Sequence, residues 1–455
     1  MKGIPASGTN NNKEVKGSIN IDGSSRKKVL ITSLLFMGLS HILYFKQYIK
    51  GAIFALLEVI FILLTPWMIT KLTDMVTLGT LKTNLPVKLR DNSVFMLIDG
   101  IILIAVIFIF IAIYVISVKG ALSEYKDFCR EEGRIKGIKE SLLNVQDKAF
   151  TILGLTPTVL LVLFFVVVPI VFSIAVAFTN YSAPEHIPPN NTVDWVGFAN
   201  FKAMFGGSAT WTGAFGRVAI WTLLWAFLAT STCYFGGMLM AVILKDSKLK
   251  IAPVFRSIFI LPYAVPAALS MLVWNNLLNG TFGTVNRTLM ALGVIDNVIP
   301  WLSNDILAKF MVVLINLWAG FPYFMLLITG TMTAISEDMY EAARIDGASK
   351  FQLFKSITLP LVLYQTTPLI IMSFTHNINN FGAIFFLTGG SPVVSDSTIT
   401  SAGGTDILVT WMYKLTITLL KYNYASAIAV VIFIVLVPFA IFNFRRTKSY
   451  KEGEL

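Results

Sequence analysis

Between an apolar run at 307–333 and another at 359–388 the chain reads Ser336-Glu337-Asp338-Met339-Tyr340-Glu341-Ala342-Ala343-Arg344-Ile345-Asp346-Gly347-Ala348-Ser349-Lys350-Phe351-Gln352-Leu353-Phe354-Lys355-Ser356-Ile357-Thr358-Leu359-Pro360. Ser336 is placed to cap a helix whose first turn is acidic, which suits the helix dipole. Gly347 ends that helix and a second short one follows. Met339, Ala342 and Ala343 share a face at helical spacing, as do Phe351, Phe354 and Lys355. The segment predicts two short amphipathic helices, a compact knob at a membrane surface between two spans. Such a knob is either an interfacial anchor or a plug for a partner.

Outward from it, the chain is apolar on a scale that excludes a soluble protein. Of 455 residues 55% are hydrophobic and 13% charged, against roughly 25% charged in soluble domains, and the mean hydropathy is +0.72. A soluble enzyme, a disordered regulator and a nucleic-acid binder are all set aside. A bilayer core needs about 20 apolar residues per helix, and eight stretches meet that test: 50–73, 94–118, 152–178, 215–244, 251–277, 307–333, 359–388 and 423–444. The expected fold is all-α, a polytopic membrane protein of about eight transmembrane helices.

A ninth run, 29–44, is too short and is read as an interfacial or re-entrant helix. The net charge of +11 is unevenly placed. Lys2, Lys13, Lys16, Arg26, Lys27 and Lys28 open the chain, seven basic residues lie in 119–150, and Arg445, Arg446, Lys448 and Lys451 close it, whereas 179–201 and 388–413 hold neither Lys nor Arg. Positive-inside reasoning places both termini, 119–150, 245–250 and 334–358 in the cytoplasm. The chain then divides into a disordered cytoplasmic tail (1–28), an N-terminal module of the interfacial helix and two spans (29–118), a cytoplasmic linker helix (119–150), a six-span core (151–446) containing the loop 334–360, and a tail (447–455).

The loop resembles the EAA loop of ABC importer permeases: Glu-Ala-Ala, three residues, Gly, nine residues, then Ile-x-Leu-Pro. Glu341, Ala342, Ala343, Gly347, Ile357, Leu359 and Pro360 stand in register with it. Phe178-Thr179-Asn180-Tyr181, Trp195-Val196-Gly197-Phe198-Ala199-Asn200-Phe201, Leu261-Pro262-Tyr263-Ala264-Val265-Pro266 and Gly404-Thr405-Asp406-Ile407-Leu408-Val409 are similar to the maltose/maltodextrin permease subunits of the MalF type. The resemblance covers about 151–446 and implies a six-helix ABC importer permease core whose loop is a coupling helix, with Glu341 the polar contact to an ATP-binding subunit and Gly347 the turn that lets it dock. It also implies the partners: a second permease subunit, two ATP-binding subunits that carry the ATP and magnesium, and an extracellular sugar-binding lipoprotein. Gram-negative members carry a large outer domain after the third span. Here 179–214 is a short loop, which points to the cell membrane of a Gram-positive-type bacterium.

Two spans carry polar residues in matching stripes. Asn316, Gly320 and Tyr323 fall at i, i+4 and i+7, and Ser373, Asn377 and Asn380 repeat the spacing with His376 beside them. Amides and hydroxyls in a bilayer must pair or face water, so each residue alone is also explained by helix–helix hydrogen bonding. An oligosaccharide is a ladder of hydroxyls with apolar faces, which amides and an aromatic ring suit. By resemblance these positions line the sugar path. Ala319 and His376 depart from the larger apolar residues of the Gram-negative subunit, which leaves maltodextrin and galacto-oligosaccharide both open.

No Gly-x-x-x-x-Gly-Lys-[Ser/Thr] loop occurs, so no ATP hydrolysis and no cofactor is assigned to this chain. Cys129 and Cys233 lie far apart, and His41, His186 and His376 form no sequence cluster, so neither a metal site nor a nucleophile is read. Glu58 and Asp99 sit in predicted spans. Carboxylates there often mark ion relays, which makes an ion-coupled secondary carrier the alternative, although internal pairing accounts for them more simply.

Overall fold

The computed structural model describes residues 23–130, 154–246 and 252–445. Residues 1–22 of the expected disordered tail 1–28, the stretch 131–150 of the expected linker, Lys248, Lys250, Arg446 and the tail 447–455 lie outside the described residues, while 23–28 are helical. The chain forms two compact units, one of residues 1–172 with 186–194, the other of 173–185 with 195–455.

In the first unit the run 29–44 is two helices, α1 (Gly23–Leu35) and α2 (Leu39–Leu43), with Gly38 at φ +86° between them. Neither has the length to span. Gly38 packs against Gly51 so closely that a Cβ on it would lie 2.2 Å from the Gly51 carbonyl oxygen. The spans α3 (Tyr48–Thr77) and α4 (Ser93–Arg130) follow, α4 carrying the start of the expected linker as continuous helix. Glu58 of α3 accepts a short hydrogen bond from the Met37 N–H in the α1–α2 break, and Lys71 pairs with Asp99 at 2.8 Å. Both intramembrane carboxylates thus have internal partners.

Among the described residues seven helices are long and apolar enough to span, or eight if a pair bent by 88° counts as one. The bent pair is the expected span 251–277, here α6 (Ala252–Ala264) and α7 (Ala267–Leu277). The residue before a proline disfavours α geometry, and Val265-Pro266 supplies that break. The expected span 359–388 also divides. Its helix ends at Ile378, and Asn380 caps a new helix, α11 (Phe381–Thr388), by accepting from the Ala383 N–H at 3.2 Å.

The second unit is built around α5 (Ala209–Asp246) and α8 (Asp305–Thr333). They meet along glycines: a Cβ on Gly237 would lie 2.6 Å from Phe324 Cβ and 2.7 Å from the Met325 nitrogen. Tyr234, Met238, Phe324, Met325 and Ile328 bury one core there, and Trp221, Trp225, Ile315 and Ile384 another. The long helix α10 (Leu359–Ile378) crosses α5, joined by a hydrogen bond of 2.9 Å between Tyr234 Oη and Thr366 Oγ1.

Candidate functional site

The two polar stripes lie on the two helices that flank the loop 334–360. Asn316, Gly320 and Tyr323 stand on α8, while Ser373, His376 and Asn377 stand on α10 with Asn380 in the break after it. All seven line one cavity of about 440 Å³. Ala319 lines it too. Three further walls come from helices without a polar stripe: Cys233 from α5, Tyr263 from α6, and Met271 from α7.

The polar groups are not equivalent. Asn377 is 5% exposed. Its Nδ2 donates to Thr230 Oγ1 at 3.0 Å, its Oδ1 accepts from Asn380 Nδ2 at 3.3 Å, and its carbonyl accepts from Trp225 Nε1 at 3.0 Å. Helix–helix hydrogen bonding therefore accounts for most of Asn377. Asn316 Nδ2 donates to Cys233 Sγ at 3.4 Å, and the thiol in turn reaches the Asn316 carbonyl. A Cβ on Gly320 would lie 2.8 Å from that sulfur, so the glycine makes room for the thiol. Ser373 is half-buried and His376 exposed along the same wall. The rings of Tyr263 and Tyr323 stand 6.1 Å apart, tilted by 34°, and both are open to the surroundings. The cavity offers hydroxyl, amide and imidazole groups together with two aromatic rings. That mixture suits a neutral polyhydroxylated molecule.

At the far end of α8 the loop folds as two helices, α9 (Glu337–Ile345) and a short turn at Lys350–Leu353 that runs on into α10. Gly347 takes φ +79° between them, a left-handed turn that costs glycine nothing. Ser336 stands at the N-cap of α9, but its side chain makes no capping bond. It is Ser349 that forms a capping box, with Gln352. The residues that share a face at helical spacing are not equally buried. Tyr340 and Leu353 are inside, with Ala343, Phe354 and Ile357 packed beside them, whereas Met339 and Phe351 are 45% and 70% exposed. Tyr340 is the polar residue around which the loop is built: its hydroxyl bonds Thr358 Oγ1 at 3.0 Å, and Lys245 Nζ lies 4.9 Å from its ring. Glu341 and Ala342 are exposed, Leu359 is half-buried, and Pro360 opens α10. Glu341 is thus exposed on this loop, as are three apolar side chains, Met339, Phe351 and Ile345, the last 86% exposed.

The segment 389–407 lies at the Asp305 end of α8, opposite the loop, since Gly404 packs on Asp305. Asp406, fully buried, holds it: its carboxylate pairs with Lys414 at 2.6 Å and accepts from the Gly403 N–H and Thr410 Oγ1. Arg217 ties the same segment to α5 through Asp396 at 2.6 Å and the Gly403 carbonyl at 2.7 Å. Among the described residues no group of His, Cys, Asp and Glu is placed to hold a metal ion.

Comparison with known proteins fits this geometry. The family model described as "Binding-protein-dependent transport system inner membrane component" matches residues 234–446, the stretch from Tyr234 through both stripes and the loop. The galactooligosaccharides transport system permease protein GanP of Bacillus subtilis is 37% identical over 90% of this chain and 95% of its own. The maltodextrin transport system permease protein MalC of Streptococcus pneumoniae is 32% identical over 95% of this chain and 98% of its own. Among solved structures, a chain of a bacterial ABC transporter involved in alginate import superposes with a TM-score of 0.52 at 20% identity, over 68% of this chain and 99% of that one. That likeness concerns the fold.

Proposed function

Because the chain belongs to the family of binding-protein-dependent transport system inner membrane components, we propose that it is one permease subunit of an ATP-driven importer of neutral oligosaccharides. The observation that carries the reading is the cavity. Asn316, Gly320, Tyr323, Ser373, His376, Asn377 and Asn380, drawn from two helices and a break, line one space. Sugar hydroxyls meet Ser373, His376 and the amide protons of Asn316 and Asn380 that the protein leaves unused, while apolar sugar faces lie against Tyr263 and Tyr323. Asn377 holds this wall in place.

The loop 334–360 is continuous with α8 at one end and α10 at the other. Displacing it moves both stripes at once, and the Tyr340–Thr358 bond couples α9 to the first turn of α10. A partner that binds the Glu341 face in one nucleotide state and not another therefore has a direct lever on the cavity. ATP-binding subunits fit that role, and a second permease subunit and an extracellular binding protein complete the assembly. Differential affinity between two states is what alternating access requires. The loop faces the cytoplasm, and 389–407 faces outward.

Maltodextrin is the first substrate we assign, with galacto-oligosaccharide the second reading, favoured by the 37% identity to GanP. The assay is uptake of labelled maltotriose and of a galacto-oligosaccharide into liposomes that hold the chain with its neighbouring-gene permease and ATPase. The binding protein is outside, ATP inside, and no ion gradient is imposed. ATP-dependent entry of one sugar identifies the substrate. Entry that ignores ATP and follows a proton or sodium gradient sinks the importer in favour of the carrier.

A further inference from the structure

The first unit holds a larger space than the one described above, and the oligosaccharide path does not use it. A groove of about 630 Å³ runs between α3 and α4. The helices are pinned together toward one end where Gly100 meets Met75, since a Cβ on Gly100 would lie 2.3 Å from Met75 Cβ. Toward the other end the rings of Phe61 and Phe110 stack 3.8 Å apart at 8°. The groove opens over this stretch, and Leu64, Trp67 and Val106 along it are 46%, 54% and 40% exposed.

Its wall is apolar except at one place. Lys71 and Asp99 line it as a pair at 2.8 Å, with side chains 29% and 45% exposed. Lys71 comes six residues before Thr77, the last residue of α3, so the pair lies about 9 Å in from the helix end, near the depth of lipid headgroups and glycerol. From Leu57 to Lys71 the lining runs along about 21 Å of helix, more than the roughly 15 Å of one leaflet's hydrocarbon. The one hydrogen bond joining the pair runs from Lys71 Nζ to Asp99 Oδ2. The second carboxylate oxygen and two ammonium protons remain available beside the groove.

We propose that the α3–α4 groove binds one zwitterionic aminophospholipid, an acyl chain along Leu64, Trp67 and Val106, the phosphate on Lys71 and the ammonium on Asp99. The arrangement selects among headgroups by charge and by donor. An anionic lipid satisfies Lys71 but brings its charge against Asp99. A choline headgroup has no N–H for the free carboxylate oxygen.

The test uses the full chain purified in mild detergent and dosed with phosphatidylethanolamine, phosphatidylcholine or phosphatidylglycerol of identical acyl composition, the retained lipid being counted by native mass spectrometry. One phosphatidylethanolamine should be held about tenfold more tightly than either of the others, the worth of one charge-assisted hydrogen bond. The double variant K71L/D99L should abolish that ranking. Val106→Trp, which fills the groove and leaves the charges alone, should lose the retained lipid altogether. Equal retention of the three lipids by the native chain overturns the proposal, as does a preference for phosphatidylglycerol. So does a photo-crosslinker at Val106 that captures a partner polypeptide in place of lipid. The ranking on the native chain decides even where the double variant fails to fold.

Discussion

Asn377 and Ser373 stand on one wall and answer to different demands. Asn377 makes three hydrogen bonds inside the protein, so Asn377→Leu strips Thr230 of a partner in a buried place. We expect a loss of about 1–3 kcal/mol of stability together with impaired uptake, read by thermal unfolding in detergent. Ser373 faces the cavity half-exposed. Ser373→Ala should leave unfolding unchanged and weaken sugar affinity about fivefold, the equivalent of one hydrogen bond near 1 kcal/mol. Equal affinity in that variant would remove Ser373 from the sugar path. In the first unit, burial and then the charge of Lys50 hold the His41 imidazole down at about 4, against an ordinary 6.5. The unfolded chain therefore takes up the proton first, and stability that is complete above about pH 6.5 declines as the pH falls toward 4. An unfolding temperature that stays flat between pH 7 and 5 would contradict that assignment. Side chains of this kind are only partly legible from sequence. The amides were visible as polar letters in apolar spans, but Tyr263 and Cys233 carry no such mark, because an aromatic or a thiol in a span is ordinarily packing.

At the scale of elements, hydropathy located every span and missed two breaks. Val265-Pro266 and Asn379-Asn380 sit inside runs apolar enough to read through, and a window average does not register a capping amide or a residue constrained by the proline after it. The loop was legible as two helices with Gly347 between them, but spacing alone does not say which face turns inward. Met339 and Phe351 are exposed while Tyr340 is inside, the pattern expected if the proposed docking surface is on that side. Two substitutions separate the faces. Glu341→Lys should abolish ATP-coupled uptake while the protein stays inserted, and normal uptake would remove the docking role. Tyr340→Phe leaves the outward face untouched but unties α9 from Thr358. It should retain the partner in pull-down and lower uptake per ATP hydrolysed. Loss of the partner instead would show that Tyr340 only maintains the shape of the loop.

The direction proposed for the whole molecule rests on the charges along the chain. With Cys129 and Cys233 replaced by Ser, a cysteine at Val393, which is 77% exposed, should react with an impermeant thiol reagent in intact cells. One at Phe351 should react only after the membrane is opened. The reverse pattern would invert the topology. The interlock of Gly236 and Gly237 with Leu317, Phe321 and Phe324 bears on how such a body moves. The close approach leaves no room for a larger residue at either glycine, and packing this dense resists sliding of one helix past the other. With α10 joined to α5 at Thr230, Trp225 and Tyr234 as well, we expect α5, α8 and α10 to travel together as one jaw. The gate is then a matter of what that jaw closes against: the bent pair α6–α7, or the opposing face of a second subunit. On the proposed pairing, the cavity in this chain is half a mouth.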